Sequence, residues 1–214
     1  MELLLLNKPY QVLCQFTDKN NIAENSNDND KKQPSQRRTL SQFIDRPNYY
    51  PAGRLDYLSE GLLILTDNGA MQSRITEPTQ KMEKSYWVQV EGSPSKDALS
   101  QLRKGIMLND GLTLPARAEI MAEPPAVWDR EPPVIEHRQQ NSQWVNISIR
   151  QGKNRQIRRM MASVGHPVLR LIRHQVGPWK LDDLKSGESK IVHVNLPTDS
   201  KKSHSKGKAR GRRR

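Results

Sequence analysis

The chain has a single cysteine, Cys14, so it can form no intramolecular disulfide and no cysteine-rich zinc site. Its five histidines include no H-x-x-x-H pair, and no resident metal is expected. Long apolar runs are also missing. Leu3 to Leu6 is only four residues, against about 20 for a membrane span and at least about 7 for a signal-peptide core. No basic stretch precedes it, so a cytoplasmic, non-secreted protein is expected. At 214 residues the chain is one large domain or two small ones. At that size about 70% of the unfolded surface can be buried, and no disulfide staple is needed. There is no internal repeat and no sustained heptad seam, and a monomer is expected.

Acidic residues are absent from two stretches. Lysine and arginine total 35 and aspartate and glutamate 23, a net charge of +12. Residues 201–214 hold Lys201, Lys202, Lys206, Lys208, Arg210, Arg212, Arg213 and Arg214, a charge of +8 with no acid. Residues 150–173 hold Arg150, Lys153, Arg155, Arg158, Arg159, Arg170 and Arg173, again without an acid. Two separate basic clusters point to a polyanionic partner. On composition alone the tail also reads as a disordered solubilising extension, and the internal cluster as a solvated helix face.

Leu3 to Leu6 and Val12 to Phe16 read as two short strands about the turn Asn7-Lys8-Pro9-Tyr10. Residues 18–38, rich in asparagine and charge, read as a flexible surface loop. Gly61 to Thr66 is a continuous apolar run, the pattern of a strand buried on both faces, with a turn at Asp67-Asn68-Gly69 and a short helix after it. Tyr86, Val88 and Val90 alternate with Trp87 and Gln89 as in a half-buried strand. Ser93 is expected to cap a helix with Pro94 at its first position, striped by Ala98, Leu99 and Leu102 and ended by Gly105. Asn109-Asp110-Gly111 reads as a turn between strands, and residues 123–138 as a proline-rich extended connection. Val145, Ile147 and Ile149 alternate on one face of a strand, and Ile191 to Leu196 reads as the last strand. Strands and helices mix without a βαβ rhythm, so an α+β fold with a mostly antiparallel mixed sheet is expected.

The spacing predicts a helix over 155–164. Ile157, Met160, Met161 and Val164 fall at i, i+3, i+4 and i+7, one apolar face. Arg155, Arg158 and Arg159 fall on the other, a set suited to phosphates or to a carboxylate elsewhere in the fold. Asp56, between Arg54 and the apolar strand, has two readings. One is a turn aspartate bonded to nearby amides; the other is a partly desolvated carboxylate with an arginine partner, suited to nucleophilic or base chemistry.

Gly53-Arg54-Leu55-Asp56-Tyr57-Leu58-Ser59-Glu60-Gly61-Leu62-Leu63 resembles the signature of the RsuA-type ribosomal pseudouridine synthases. Asn7-Lys8-Pro9, Lys84-Ser85-Tyr86-Trp87-Val88 and Gly152-Lys153-Asn154-Arg155-Gln156-Ile157-Arg158-Arg159-Met160 resemble its other motifs, in order, with Leu169 to Arg173 following. The likeness runs over about residues 3–196, and four ordered motifs make coincidence implausible. Val12 to Asp18 is most similar to the branch that acts on large-subunit ribosomal RNA and lacks an extra N-terminal S4 domain.

The resemblance implies a pseudouridine synthase fold over 1–198, with 18–38 as an insertion and 199–214 as a disordered basic tail. It implies isomerisation of a uridine in ribosomal RNA without cofactor or metal. Asp56 takes the nucleophile's place, Tyr86 stacks on the target base, and Arg158 pairs with Asp56, with Arg54 in support. Lys8, Lys84, Arg155, Arg159, Arg170 and Arg173 are the expected RNA contacts. Attack by Asp56 on the sugar or on the ring, or its assistance of an elimination, all fit these residues. Where the family usually has Glu-Gly, this chain has Gln151-Gly152. Two other readings stand beside this one: a catalytically idle RNA-binding assembly factor, and the same enzyme acting on another RNA. If the tail holds phosphates, removing residues 201–214 weakens RNA binding at physiological salt and leaves catalysis intact. A salt titration of affinity checks this, and identical curves with and without the tail refute it.

Overall fold

The structure is a computed structural model, and it describes residues 1–18, 37–77, 82–125 and 127–194. The tail and nearly all of the 18–38 segment lie outside the described residues. The apolar start of the chain becomes β1 (Glu2–Lys8). After a single 3-10 turn at Leu40–Gln42 come β2 (Tyr50–Pro51) and β3 (Glu60–Thr66). Every residue of β3 is buried, as its unbroken apolar run predicts. Then comes α1 (Gly69–Thr76), whose first turn is closed by the Asn68 side chain accepting from the Met71 amide.

β4 (Lys84–Glu91) leads into α2 (Lys96–Lys104). The cap of α2 is Ser95, whose hydroxyl accepts from the Ala98 amide, so the helix begins two residues later than Ser93 and Pro94 suggest. Gly105 ends α2 with φ of 97°, a conformation that favours glycine. β5 (Met107–Leu108) and β6 (Gly111–Leu112) make a separate hairpin about Asn109-Asp110. β7 (Arg117–Met121) precedes the proline-rich connection, which ends earlier than expected in α3 (Glu136–Gln140). β8 (Ser142–Ile149), α4 (Gln156–Ser163), β9 (Val168–Val176), β10 (Trp179–Lys180) and β11 (Ser189–His193) complete the order.

The main sheet runs β11-β1-β3-β9-β4-β8-β7, with β10 added to β9 and β2 to β3. Among the described residues every pairing of these strands is antiparallel except β3 with β9. This is the mixed, mostly antiparallel α+β architecture that the sequence predicts.

Two helices cover one face of the β4–β8–β9 half. Leu99 and Leu102 of α2 and Ile157, Met160 and Met161 of α4 pack there on Val88, Val145, Ile147 and Leu171. The wheel expected for 155–164 thus buries its apolar face. On the opposite face Met71 and Ile75 of α1 meet Leu62, Ile64, Trp144 and Ile172. Leu4, Leu6, Leu63 and Leu65 are covered by Val12, Leu40, Ile44 and Tyr49. β4 is buried more fully than a half-buried strand, because it is central in the sheet and Ser85 and Gln89 on its second face are also buried.

The strand expected over Val12 to Phe16 does not form. Only Val12 makes an isolated bridge, to Arg38. The reason lies at Lys8, which is fully buried. Its ammonium donates to the carbonyls of Pro9 at 2.9 Å and Val12 at 2.8 Å, folding the chain into a loop around the cation. β7 and β9 are strands that polar composition hides. In β9, Arg170 and Arg173 are both buried because partners inside the fold take them. Among the described residues no helix is long and apolar enough to cross a membrane.

Burial lowers the Lys8 ammonium from its ordinary value of 10.5 to about 8, an effect that nearby Cys14 and Glu60 oppose. Between those two pH values the unfolded chain binds the proton that the folded chain has released, so stability rises with pH in this window. Lys8→Met is expected to remove that part of the slope. Urea unfolding of both proteins at pH 7.5, 9 and 10.5 checks it, and equal slopes would reject it.

Candidate active site

The loop between β2 and β3 carries Asp56 to the mouth of the sheet. Gly53 turns the loop with φ of 86°. The Leu55 amide donates to the Cys14 thiol at 3.4 Å, and the Ser59 amide to the Asp56 carbonyl at 3.0 Å. Burial pushes the Cys14 thiol up, which keeps it protonated as a packing group. The Asp56 carboxylate stands in a cavity of about 580 Å³, within the range of small-molecule sites. Lys84 and Tyr86 of β4, Leu171 and Arg173 of β9, and the segment from Ile149 to Ile157 form much of its wall.

Six of the expected site residues meet in this cavity: Arg54, Asp56, Lys84, Tyr86, Arg155 and Arg173. The guanidinium of Arg155 lies 3.9 Å from the Asp56 carboxylate, with the two side chains 45% and 33% exposed, so the pair is open to water on one side. Arg155 holds a left-handed conformation, φ 46°, immediately before α4. Gln156, itself buried, sets this turn by accepting from the Lys153 amide at 3.1 Å and donating to the Gln151 side chain at 2.9 Å. Lys84 is partly buried, donates to the Met82 carbonyl at 3.1 Å, and has its basicity lowered by burial and then by Arg173.

The three arginines of the basic helix do not form one grip. Arg158 donates to the carbonyls of Leu58 at 2.6 Å and Val168 at 3.3 Å. It feels the Asp56 charge, but among the described residues the ion-pair contact to Asp56 comes from Arg155 instead. The cause is position along the chain. Arg155 precedes the helix and reaches the loop, whereas Arg158 lies within α4, under the Leu58 carbonyl. Arg159 turns away, forming a two-point pair with Asp110, both bonds 2.9 Å. That pair lowers the Asp110 carboxyl to about 2.

Two further expected RNA contacts are placed where no phosphate can reach them. Lys8 is closed inside its loop. Arg170 is 6% exposed and forms a two-point pair with Glu60, at 2.8 and 2.9 Å. Trp128 completes this knot: its indole N–H donates to Glu60 at 2.9 Å, and the Arg170 guanidinium lies 5.5 Å from its ring centre. Arg173, also buried, donates to the Leu62 carbonyl at 2.8 Å while lining the cavity. Sequence reasoning missed Glu60, Gln151, Gln156 and Lys153 as organisers of the site. The signal for Glu60 is an acid opening an otherwise apolar strand, which burial permits only with a partner.

The family model described as RNA pseudouridylate synthase matches residues 2–163. A protein of Xanthomonas axonopodis pv. citri (strain 306) named "Ribosomal large subunit pseudouridine synthase E" is 48% identical over 182 residues, covering 85% of this chain and 89% of the relative. A protein of the same name from Vibrio vulnificus (strain CMCP6) is 44% identical over 197 residues, covering 92% and 76%. A solved structure described as "Crystal structure of pseudouridylate synthase" superposes with a TM-score of 0.69 at 28% identity, over 90% of this chain and 70% of that one.

Glu60 and Arg170 are nearly inaccessible to water, so removing one charge leaves the other buried without its partner. Glu60→Gln is therefore expected to cost about 3–5 kcal/mol of folding stability. Urea denaturation measures this, and a loss under about 1 kcal/mol would show that the glutamine oxygen and the Trp128 ring hold Arg170 without the carboxylate charge.

Proposed function

The chain belongs to the RNA pseudouridylate synthase family, and from that premise we propose that it converts a specific uridine of large-subunit ribosomal RNA into pseudouridine. Asp56 is the nucleophile, and the protein acts as a monomer in the cytoplasm without cofactor. The observation that carries the assignment is the meeting of one carboxylate, one guanidinium and one aromatic ring, from Asp56, Arg155 and Tyr86, in a single cavity of about 580 Å³. The large-subunit target rests on the names of the relatives.

The reaction makes demands that this cavity meets. A uridine must leave its stack, which costs a few kcal/mol. Tyr86, almost fully buried with its ring on the cavity wall, offers an aromatic partner worth about 1–3 kcal/mol per base. Asp56 must act as the carboxylate, and the Arg155 guanidinium stands 3.9 Å from it. The N1–C1′ bond breaks, the uracil turns while held, and C5 bonds to C1′. The hydrogen at C5 leaves as a proton, and N1, freed from the sugar, takes up a proton. No atom is added or lost overall, which suits a closed apolar wall that keeps the detached ring in place. Leu55, Ile149, Ile157 and Leu171 supply that wall. Arg54 and Arg150, both exposed, line its rim with positive charge for the phosphates on either side. Lys84 and Arg173 extend that charge into the cavity itself.

Release of tritium from large-subunit ribosomal RNA carrying 5-tritiated uridine reads the chemistry directly, because C5 must lose its hydrogen. The wild type is expected to release it and Asp56→Asn to release none while still binding the RNA. Release by the variant at the wild-type rate would reject Asp56 as nucleophile. Release by the wild type from small-subunit RNA alone would overturn the large-subunit target.

A further inference from the structure

The hairpin of β5 and β6 is not part of the main sheet, yet it is held rigidly at the rim of the cavity. Lys153 donates to the carbonyls of Asp110 at 2.7 Å and Gly111 at 2.9 Å. Arg159 grips the Asp110 carboxylate from α4. The Leu114 amide donates to the Gln151 side chain at 2.7 Å. At its base the Thr113 amide donates to the Ile106 carbonyl and the Ile106 amide to the Thr113 hydroxyl, both at 2.9 Å. One side of the hairpin, through Ile106 and Leu108, packs on the core.

The other side bears large apolar side chains with nothing over them. Met107 is 70% exposed, Leu112 59% and Leu114 42%. Three of the seven large hydrophobic residues exposed among the described residues lie within these eight positions. Met107 and Leu112 are direct cross-strand partners, so their side chains stand together on one face. Their position adjoins the cavity, because Leu114, Gln151 and Lys153 line its wall.

We propose that the hairpin from Met107 to Leu114 is a docking platform for the unpaired bases that flank the target uridine. The inference rests on the RNA reading above and adds a contact surface to it. A polynucleotide with one nucleotide inside the cavity must leave it in both directions, so its neighbours cross the rim. Bases pulled from their stack present flat apolar faces, and Met107 and Leu112 offer fixed apolar surface to receive them. The charge pattern fits the same occupant. Asp110 is the acid at the hairpin tip, and Lys153 and Arg159 neutralise it. Arg54, Arg150 and Arg155, all exposed, line the cavity nearby and suit the connecting phosphates. A second copy of the chain would bring the same apolar patch, but with it the same ring of cations, which repel across a two-fold contact.

The test uses Met107→Ser/Leu112→Ser in the full chain, with Ile120→Ser as a control. Ile120, 46% exposed, lies on β7 rather than on the hairpin. The melting temperature of the double variant should match the wild type, since neither side chain packs in the core. Its affinity for a single-stranded uridine-containing oligonucleotide, read by fluorescence anisotropy, should fall about tenfold, the loss of one good base contact. In tritium release from large-subunit RNA, KM should rise by a similar factor, with kcat moving less. Ile120→Ser should change neither. Unchanged affinity in the double variant overturns the proposal. So does a change of mass in solution that the same substitutions abolish, which would give the platform to a second copy. The anisotropy arm is independent of turnover. A wild type that binds through the hairpin but releases no tritium would therefore count against the proposed reaction, not against the platform.

Discussion

The two halves of the sheet join through a parallel contact only two residues long, Glu60 beside Ile172 and Gly61 beside Arg173. The approach is so close that a Cβ on Gly61 would stand 2.3 Å from the Arg173 carbonyl oxygen, and its φ of 101° favours glycine as well. Much else follows from this crossing. It brings the end of the Asp56 loop against β9, and so against the face where α4 packs. It also forces the first side chain of β3, a carboxylate, into the interior, where the Arg170 guanidinium and the Trp128 indole satisfy it. A short parallel contact is a weak ladder, and the buried knot beside it supplies the directional bonds that the backbone lacks there.

The same packing explains where the charge of the acid-free segment goes. Seven cations in 24 residues repel one another in the unfolded chain, and folding disperses them. Arg150 reaches Glu83, Lys153 and Arg159 share Asp110, Arg155 faces Asp56, and Arg170 takes Glu60. Arg158 and Arg173 go to backbone carbonyls. All the acids that receive them lie more than 35 positions away in the chain. A run that reads as one polyanion-binding face is thus partly a set of internal braces. The cations left to the cavity and its rim are fewer and more closely placed, and several of them hold the loops that shape it.

Local patterns in the chain were informative where one face of an element decides its fate. The unbroken Leu62 to Leu65 run made a strand buried on both sides, and Ile157, Met160 and Met161 turned a helix onto the core. Asn68 and Gly105 marked helix ends through their own chemistry. The motif around Asp56 was legible as well, and the structure sets Tyr86 and Lys84 beside it in one cavity. Readings failed where a polar side chain was buried by a distant partner. Lys8 looked like a surface cation and proved to be the centre of a loop, which also removed the strand expected after it. Arg170 and Arg173 read as RNA contacts and proved to be buried in β9, because the groups that accept from them, the Glu60 carboxylate and the Leu62 carbonyl, belong to β3.

The amino-acid sequence by itself determined the fold class, the apolar faces of its helices, the hairpin turn at Asn109-Asp110 and the identity of the loop that carries Asp56. These depend on periodicity, on turn chemistry and on an ordered set of motifs, all of which are local along the chain. Only the tertiary structure decided which arginine stands against Asp56, which cations are braces and which face the cavity, and where the apolar hairpin sits. The physical reason is the same for each. An ion pair or a buried hydrogen bond is settled by which groups meet at about 3 Å after the sheet has closed. The residues concerned lie far apart along the chain, as Glu60 and Arg170 do, 110 positions from each other.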